Sequence, residues 1–136
     1  MDFVVYSNLF SRVIFRQTED PSEQLRKRQK ILYSSILQWT DAGEARPIDM
    51  FMVKPSKKIF PDYYDIIAEP IDMKTISARI RAEHYRTEEE LLADCKLMFS
   101  NCRAYNEEGS KIYEDSVKLE GVLLAMAKEL GVGGGE

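Results

Sequence analysis

One histidine, His84, and two cysteines, Cys95 and Cys102, stand in 136 residues. So few soft donors leave no metal-ligand cluster. The cysteines do not make a disulfide framework either. Both fall on one expected helix, seven residues apart, about 10 Å along its axis. A disulfide spans at most roughly 7 Å between Cα atoms. Both are expected as free thiols, which suits a reducing compartment. No apolar run approaches the ~18 residues of a membrane-spanning helix, so no membrane partner is expected. The apolar patches near the start are broken by Ser7, Asn8, Ser11 and Arg12, and no signal peptide is read there. The glycines gather in the tail, and no glycine-rich phosphate loop precedes a helix. Gly-x-Ser-x-Gly, His-Glu-x-x-His and Cys-x-x-Cys are all missing. With no nucleophile, base or metal site in a segment that reads as a cleft, neither enzymatic activity nor a cofactor is expected. A net charge of −4 removes any global basic field for non-specific nucleic-acid binding and mildly favours basic partners.

What is present reads as one soluble, helical domain. The 44% hydrophobic and 31% charged fractions are ordinary. A domain of this size buries roughly two thirds of its unfolded-chain surface. Asp20-Pro21-Ser22-Glu23 opens a first helix, with Asp20 as N-cap and Pro21 at the first helical position. Leu25, Leu32, Ile36 and Trp39 share one face of it, and it is expected to reach Trp39 or Thr40. Arg26, Lys27, Arg28 and Lys30 form a basic run, read first as a solvated face and second as a nucleic-acid patch. Asp72 caps a second helix with Met73, Ile76 and Ile80 on its stripe. Thr87-Glu88-Glu89-Glu90 is a capping box opening a third, and its glutamates suit the positive end of the helix dipole. Ser110 caps a fourth carrying Tyr113, Val117, Leu124 and Leu130, and Gly131 sits where a terminating glycine belongs. His84 falls in a turn and reads as a surface or capping residue.

Between the first two helices lies a connection from Gly43 to about Ile71 that holds four of the five prolines. Loops longer than about 15 residues in a compact domain are usually functional or disordered. This one is too apolar for disorder, and Pro61–Ile67 can form a short helical turn within it. Four amphipathic helices with one long first connection indicate an all-α antiparallel bundle, the long loop folding over one end. Residues 1–19 fit no later element. They read as a linker, an added remnant or an arm on the domain, peripheral and poorly ordered. The domain is then 20–131, with 132–136 a flexible tail.

The turn Tyr105-Asn106-Glu107-Glu108-Gly109 joins the third and fourth helices. The segment Phe60–Ile67 is expected to face it across one small pocket. Such a cavity is mainly apolar, from Phe51, Val53, Ile59 and Ile112. Its polar groups are the Asn106 amide and the Tyr63 hydroxyl, which suits a ligand with an apolar stem and one neutral amide. Each residue also has a plainer reading. Asn106 suits a turn, since Asn tolerates left-handed and Asx-turn geometry. Tyr63 suits a core position with its hydroxyl at the surface.

Taken together, Pro61-Asp62-Tyr63-Tyr64, Pro70-Ile71-Asp72-Met73-Lys74-Thr75-Ile76, and Asp94 with Leu97-Met98-Phe99-Ser100-Asn101-Cys102-Arg103-Ala104-Tyr105-Asn106 resemble a bromodomain, an acetyl-lysine reader. The match covers roughly Asp20 to Leu130. Val53-Lys54-Pro55-Ser56 and Asn106-Glu107-Glu108-Gly109-Ser110 look most like the polybromo-type domains of SWI/SNF-class chromatin remodellers. The resemblance implies a left-handed four-helix bundle and a pocket between the long loop and the turn after the third helix. It implies that Asn106 donates to the acetyl carbonyl and that Tyr63 holds a water on the same carbonyl. It puts Ile112 at the gatekeeper position and Val53 and Phe51 on the lining, with Tyr105, Cys102 and Ile59 nearby. Many family members carry Trp-Pro-Phe at the rim. Here the aligned stretch is Asp49-Met50-Phe51, and that loss bears on affinity, not on fold.

The implied partners are acetylated histone tails and other subunits of a chromatin-remodelling complex, in the nucleus, without catalysis. The rival is a bundle with a degenerate pocket whose surface serves protein or nucleic-acid contact, with a weak DNA contact through the first helix.

Overall fold

A computed structural model describes residues 20–133, and the expectations for residues 1–19 and 134–136 lie outside them. The described residues are all-helical. Helix α1 is Pro21–Leu37. Its start follows from the cap: Asp20 Oδ1 accepts the Glu23 N–H at 2.9 Å and the Ser22 hydroxyl at 2.7 Å, satisfying donors that the helix itself leaves open. It stops two or three residues before the expected end, closed by the Gln38 N–H on Ser34 O at 3.2 Å. Trp39 lies past that end and packs, half-buried, against the core.

The long connection is ordered. It contains a 3-10 turn at Pro47–Phe51, which the sequence reading left irregular. It also contains the short helix α2, Tyr63–Ile66, inside the stretch expected to turn. Helix α3, Met73–Arg81, is capped by Asp72, whose Oδ1 accepts the Thr75 N–H at 2.7 Å. Helix α4, Glu88–Tyr105, is capped by Thr87. The reciprocal half of that capping box lands one residue early, because Glu90 accepts the Arg86 N–H at 2.7 Å. Helix α5, Lys111–Glu129, is capped by Ser110.

The four long helices form the expected bundle. α5 packs on α1, on α4 and on the 3-10 turn, while α1 and α4 each also meet α3. Leu32 and Ile36, Met73 and Ile76, Leu91 and Phe99, and Leu119 and Leu123 supply a fully buried pair from each helix. Deleting one such side chain to alanine typically costs about 2–5 kcal/mol.

Two expectations need correction. On α5 the buried stripe is Ser116, Leu119, Leu123 and Ala127; of the expected residues Leu130, just past the helix, is buried and Tyr113 half-buried, while Val117 and Leu124 are exposed. Both sets recur at helical spacing. The small serine and alanine belong to the buried one because they let neighbouring helices approach, something apolar counting overlooks. At the chain's end, Val132 is buried and Gly133 is tied down. Gly131, at φ 73°, donates to Lys128 O at 3.0 Å, and Val132 donates to Ala127 O at 2.8 Å. This is a Schellman closure, and it folds Val132 back onto the core. The Gly133 N–H reaches Glu89 Oε2 at 3.2 Å.

Candidate functional site

At the end of the bundle where α4 finishes and α5 begins, the long connection closes over a cavity of about 360 Å³. Its floor is apolar: Phe51, Ile71, Met98 and Cys102 line it and are buried. Phe51 stands edge-on to Phe99 with ring centroids 5.4 Å apart, which fixes the 3-10 turn on α4. The two walls are the expected ones. Phe60 and Tyr63 come from the long connection, Tyr105 and Asn106 from the end of α4, and Ile112 from the first turn of α5.

Asn106 is the C-cap of α4 with φ −97° and ψ 154°. It is extended, so the left-handed turn role does not apply, and Gly109 takes the positive φ at 91° instead. Its Nδ2 donates to Cys102 O at 2.9 Å, with Cys102 Sγ at 3.6 Å. One bond to its own helix thus sets the amide's orientation. A primary amide has a second N–H and an acceptor oxygen, and a thiol sulfur is a weak acceptor that a carbonyl oxygen outcompetes. The Cys102 thiol in turn donates to Ile112 O at 3.5 Å, joining α4 to α5 beneath the amide.

Tyr63 is only 6% exposed and lines the cavity. Its ring packs edge-on against Tyr64 at 5.2 Å and Tyr105 at 4.9 Å. Among the described residues its hydroxyl makes no hydrogen bond to protein. Buried polar groups are nearly always satisfied, so this hydroxyl is a site for water or ligand. Burial, then the neighbouring Tyr64, Cys102 and Tyr105, push its pKa above the usual tyrosine range, keeping it a neutral donor. Cys102 is likewise raised, chiefly by burial, and stays a thiol. Cys95, behind it in the core, is pushed up to about 12 by burial. Both cysteines are free.

Three struts hold the walls. The Tyr105 hydroxyl donates to Asp62 Oδ1 at 2.9 Å, bridging the two walls directly. The Tyr64 hydroxyl donates to Pro55 O at 2.6 Å, and Asn101 Nδ2 to Glu69 O at 2.9 Å. Asp72 does double duty: besides capping α3, its Oδ2 accepts the Lys54 N–H at 2.9 Å and so fixes the backbone next to Val53. Burial pushes that carboxyl's pKa up, but the hydrogen bonds from Thr75 and Lys54 outweigh it, and the group sits below the usual aspartate range.

The comparisons with known proteins agree. A family model described as bromodomain matches residues 33–118. The chain belongs to the bromodomain family. It is 40% identical over 104 residues to "Transcription regulatory protein SNF2" of Saccharomyces cerevisiae, covering 76% of this chain and 6% of that one. It is 46% identical over 70 residues to "Histone acetyltransferase GCN5" of Yarrowia lipolytica, covering 52% of this chain and 15% of the relative. The chain thus spans a small part of these curated relatives. Among solved structures, the human BAZ1A bromodomain superposes with a TM-score of 0.69 at 27% identity, covering 78% of this chain and 94% of that one. Bromodomains are in general acetyl-lysine reader modules of chromatin-remodelling and acetyltransferase proteins, not catalysts. These relatives' names carry a likeness to transcription regulation and histone acetylation; the finer polybromo likeness is not among them.

Of the eight residues singled out in the sequence, seven line this bromodomain's cavity: Asn106, Tyr63, Val53, Phe51, Cys102, Tyr105 and Ile112. Ile59 does not; it is exposed, and its neighbour Phe60 lines the wall. The reason is local. The Phe60 N–H closes a turn on Ser56 O at 2.8 Å, which brings Phe60 to the wall. Met50 and Met98 also line the cavity and went unnamed. Met50 directly precedes Phe51, where the family's rim motif is lost, and that alignment was the available signal. The basic run of α1 is partly spent inside the fold. Arg28 Nε pairs with Glu88 at 2.7 Å while its Nη2 donates to Leu130 O, and Arg26 lies 3.9 Å from Glu83. No helix among the described residues is long and apolar enough to cross a membrane.

Proposed function

We propose that this bromodomain reads acetylated lysine on histone tails, as a non-catalytic module of a chromatin-remodelling complex in the nucleus. One observation carries the reading: an apolar cavity whose unspent polar groups are a neutral amide and a neutral buried hydroxyl. An acetylated lysine has the complementary form, a four-methylene stem ending in a neutral amide. Asn106 donates its second N–H to the acetyl carbonyl. Tyr63 donates to a water that bridges to the same oxygen. Phe51, Val53 and Cys102 enclose the stem, with Tyr105 on one wall and Ile112 at the gatekeeper position.

Unmodified lysine is rejected by desolvation. Acetylation removes the charge; burying an unpaired ammonium among these apolar walls costs several kcal/mol. Since few atoms carry the contact, one module binds weakly and gains occupancy from neighbouring modules. The partly buried pairing of Arg28 with Glu88 takes one cation out of the α1 patch and weakens the case for the surface-contact rival, including DNA held by α1.

The test is a titration by heteronuclear NMR with acetylated and unmodified histone-tail peptides, on wild type and Asn106→Ala. Acetyl-dependent shifts at Tyr63, Val53 and Asn106 that vanish in a folded Asn106→Ala support the reading. A folded domain with no acetyl-dependent shift moves the assignment to surface contact.

A further inference from the structure

A second and larger hollow, of about 720 Å³, lies between the first half of α4 and the last turns of α5, away from the Asn106 cavity. Its floor is Leu92, Ala127 and Val132, all buried, and Leu124 stands beside them at 39% exposure. The chain past α5 closes one end. Gly133 lies so near Leu92 that a Cβ there would come within 3.1 Å of its Cδ1. The one carboxylate on the lining, Glu89, accepts the Gly133 N–H at 3.2 Å. The two cations on it, Lys96 from α4 and Lys128 from α5, are exposed and have no ion pair among the described residues. Lys128 suits the negative end of the α5 dipole; Lys96, in mid-helix, has no such reason. Further along the same two helices the pattern reverses, and Arg103 of α4 crosses to Glu120 of α5 at 2.6 Å.

Helix α5 carries the apolar edge of the hollow onward. Val117, Gly121, Leu124 and Lys128 recur four, three and four residues apart, all exposed, which is the spacing of a helix–helix seam. A glycine inside a helix costs stability relative to alanine. Nothing in the described fold requires one here, because a Cβ at Gly121 would meet no atom within 4 Å. A glycine at the centre of the seam lets a second backbone come close.

We infer that this seam and hollow dock an acidic amphipathic helix of another protein. Its apolar residues, three and four apart, lie along Val117, Gly121 and Leu124 and enter the hollow, while its carboxylates meet Lys96 and Lys128. Two other occupants fit less well. A second copy docked by two-fold symmetry brings the same lysines toward each other. Residues 1–19 carry Asp2 and Glu19 against Arg12 and Arg16, and so offer the lysines no net charge.

The experiment titrates two capped, alanine-based helical peptides into the isotope-labelled chain by heteronuclear NMR. Both carry leucines three and four residues apart; one flanks them with glutamate, the other with lysine. The glutamate peptide is expected to shift the Ala93, Lys96, Gly121 and Leu124 amides and to bind about fivefold more tightly than the lysine peptide. Lys96→Glu combined with Lys128→Glu should reverse that order and leave the Tyr63 and Asn106 signals where they are. Gly121→Gln should raise the melting temperature yet weaken the glutamate peptide about tenfold. No shift at the hollow with either peptide, or a preference that survives the charge reversal, overturns the inference. So does a Gly121→Gln chain that binds as wild type does. A concentration-dependent dimer lost in Leu124→Asp assigns the face to a second copy. Signals of residues 3–15 that move in Leu124→Asp without peptide assign it to the chain's own first segment. Either assignment overturns the inference too.

Discussion

The two ends of the bundle treat their polar groups in opposite ways. At the end where α1 begins and α5 finishes, Arg28, Gln29, Arg79 and Tyr85 all find protein acceptors. Arg28 is held by Glu88 and the Leu130 carbonyl, and Gln29 Nε2 by the Tyr85 carbonyl at 3.3 Å. Beside them Asp94 Oδ2 accepts from both Arg79, at 2.7 Å, and the buried Tyr85 hydroxyl, at 2.6 Å. At the opposite end the Tyr63 hydroxyl has no protein partner among the described residues, and the Asn106 amide keeps a donor in hand. That end has paired groups too, at Tyr105, Tyr64 and Asn101, so the open capacity is confined to the two groups that face the cavity. The difference separates residues that hold the fold from residues that wait for a partner.

The comparison predicts that mutations at the two ends separate stability from binding. The largest effect is expected from Asp94→Ala, which strands the Tyr85 hydroxyl and the Arg79 guanidinium together. Hydrogen bonds to charged groups are worth about 1.5–3 kcal/mol, and urea denaturation should show a loss of about 2–3 kcal/mol. Acetyl-peptide affinity measured well below the transition should be unchanged. An affinity loss matching the stability loss would erase the distinction between the ends. Asn106→Ala should do the reverse. Its affinity loss is about 2 kcal/mol, roughly 30-fold, with a smaller change in the urea midpoint, since the backbone N–H of residue 106 still reaches Cys102 O.

Most of the fold was legible because it rests on local chemistry. Asp20, Asp72, Thr87 and Ser110 each cap the helix assigned to them, and Gly131 takes its positive φ. Caps are read from a few adjacent residues, so they depend little on distant contacts. The stripe of α5 was misread because two faces are comparably apolar, and which turns inward depends on helices packed from elsewhere. Seven of the eight residues singled out line the cavity. Tyr63, the first residue of α2, and Asn106, the C-cap of α4, both line the cavity because each stands at the end of an element that closes it. Ile59 fell outside because one hydrogen-bonded turn decides whether it or Phe60 lines the wall. Spacing does not encode that choice.

Acid should reveal a strut that serves both fold and site. The Asp72 pKa is lower folded than its ordinary value of 3.8. A carboxyl depressed on folding contributes stability that is fully present above its unfolded pKa and is lost as pH falls through the folded one. Part of the stability should therefore fade below about pH 4, and Asp72→Asn should lack that part of the slope. The neutral variant should lose about 1 kcal/mol at pH 7, because its single acceptor oxygen cannot take both the Thr75 and the Lys54 N–H. It should also broaden Lys54 and Val53 amide signals, because in the native protein Asp72 Oδ2 holds the Lys54 N–H.

The smallest effect is the sharpest test of the contrast between the ends, because stability and binding should move in opposite directions. Tyr63→Phe removes a buried hydroxyl that no described protein group satisfies and leaves the packed ring against Tyr64 and Tyr105. Had the hydroxyl been paired, as Tyr85's is, its loss would cost about 1 kcal/mol. Unpaired, its loss should leave the free domain unchanged or more stable by about 0.5 kcal/mol. The same change removes the donor to the bridging water and should weaken acetyl-peptide binding about threefold. Denaturation and peptide titration on one variant check both signs. If Tyr63→Phe lowers stability as much as Tyr85→Phe, which removes the bond to Asp94, the hydroxyl is structural and the open end is not open.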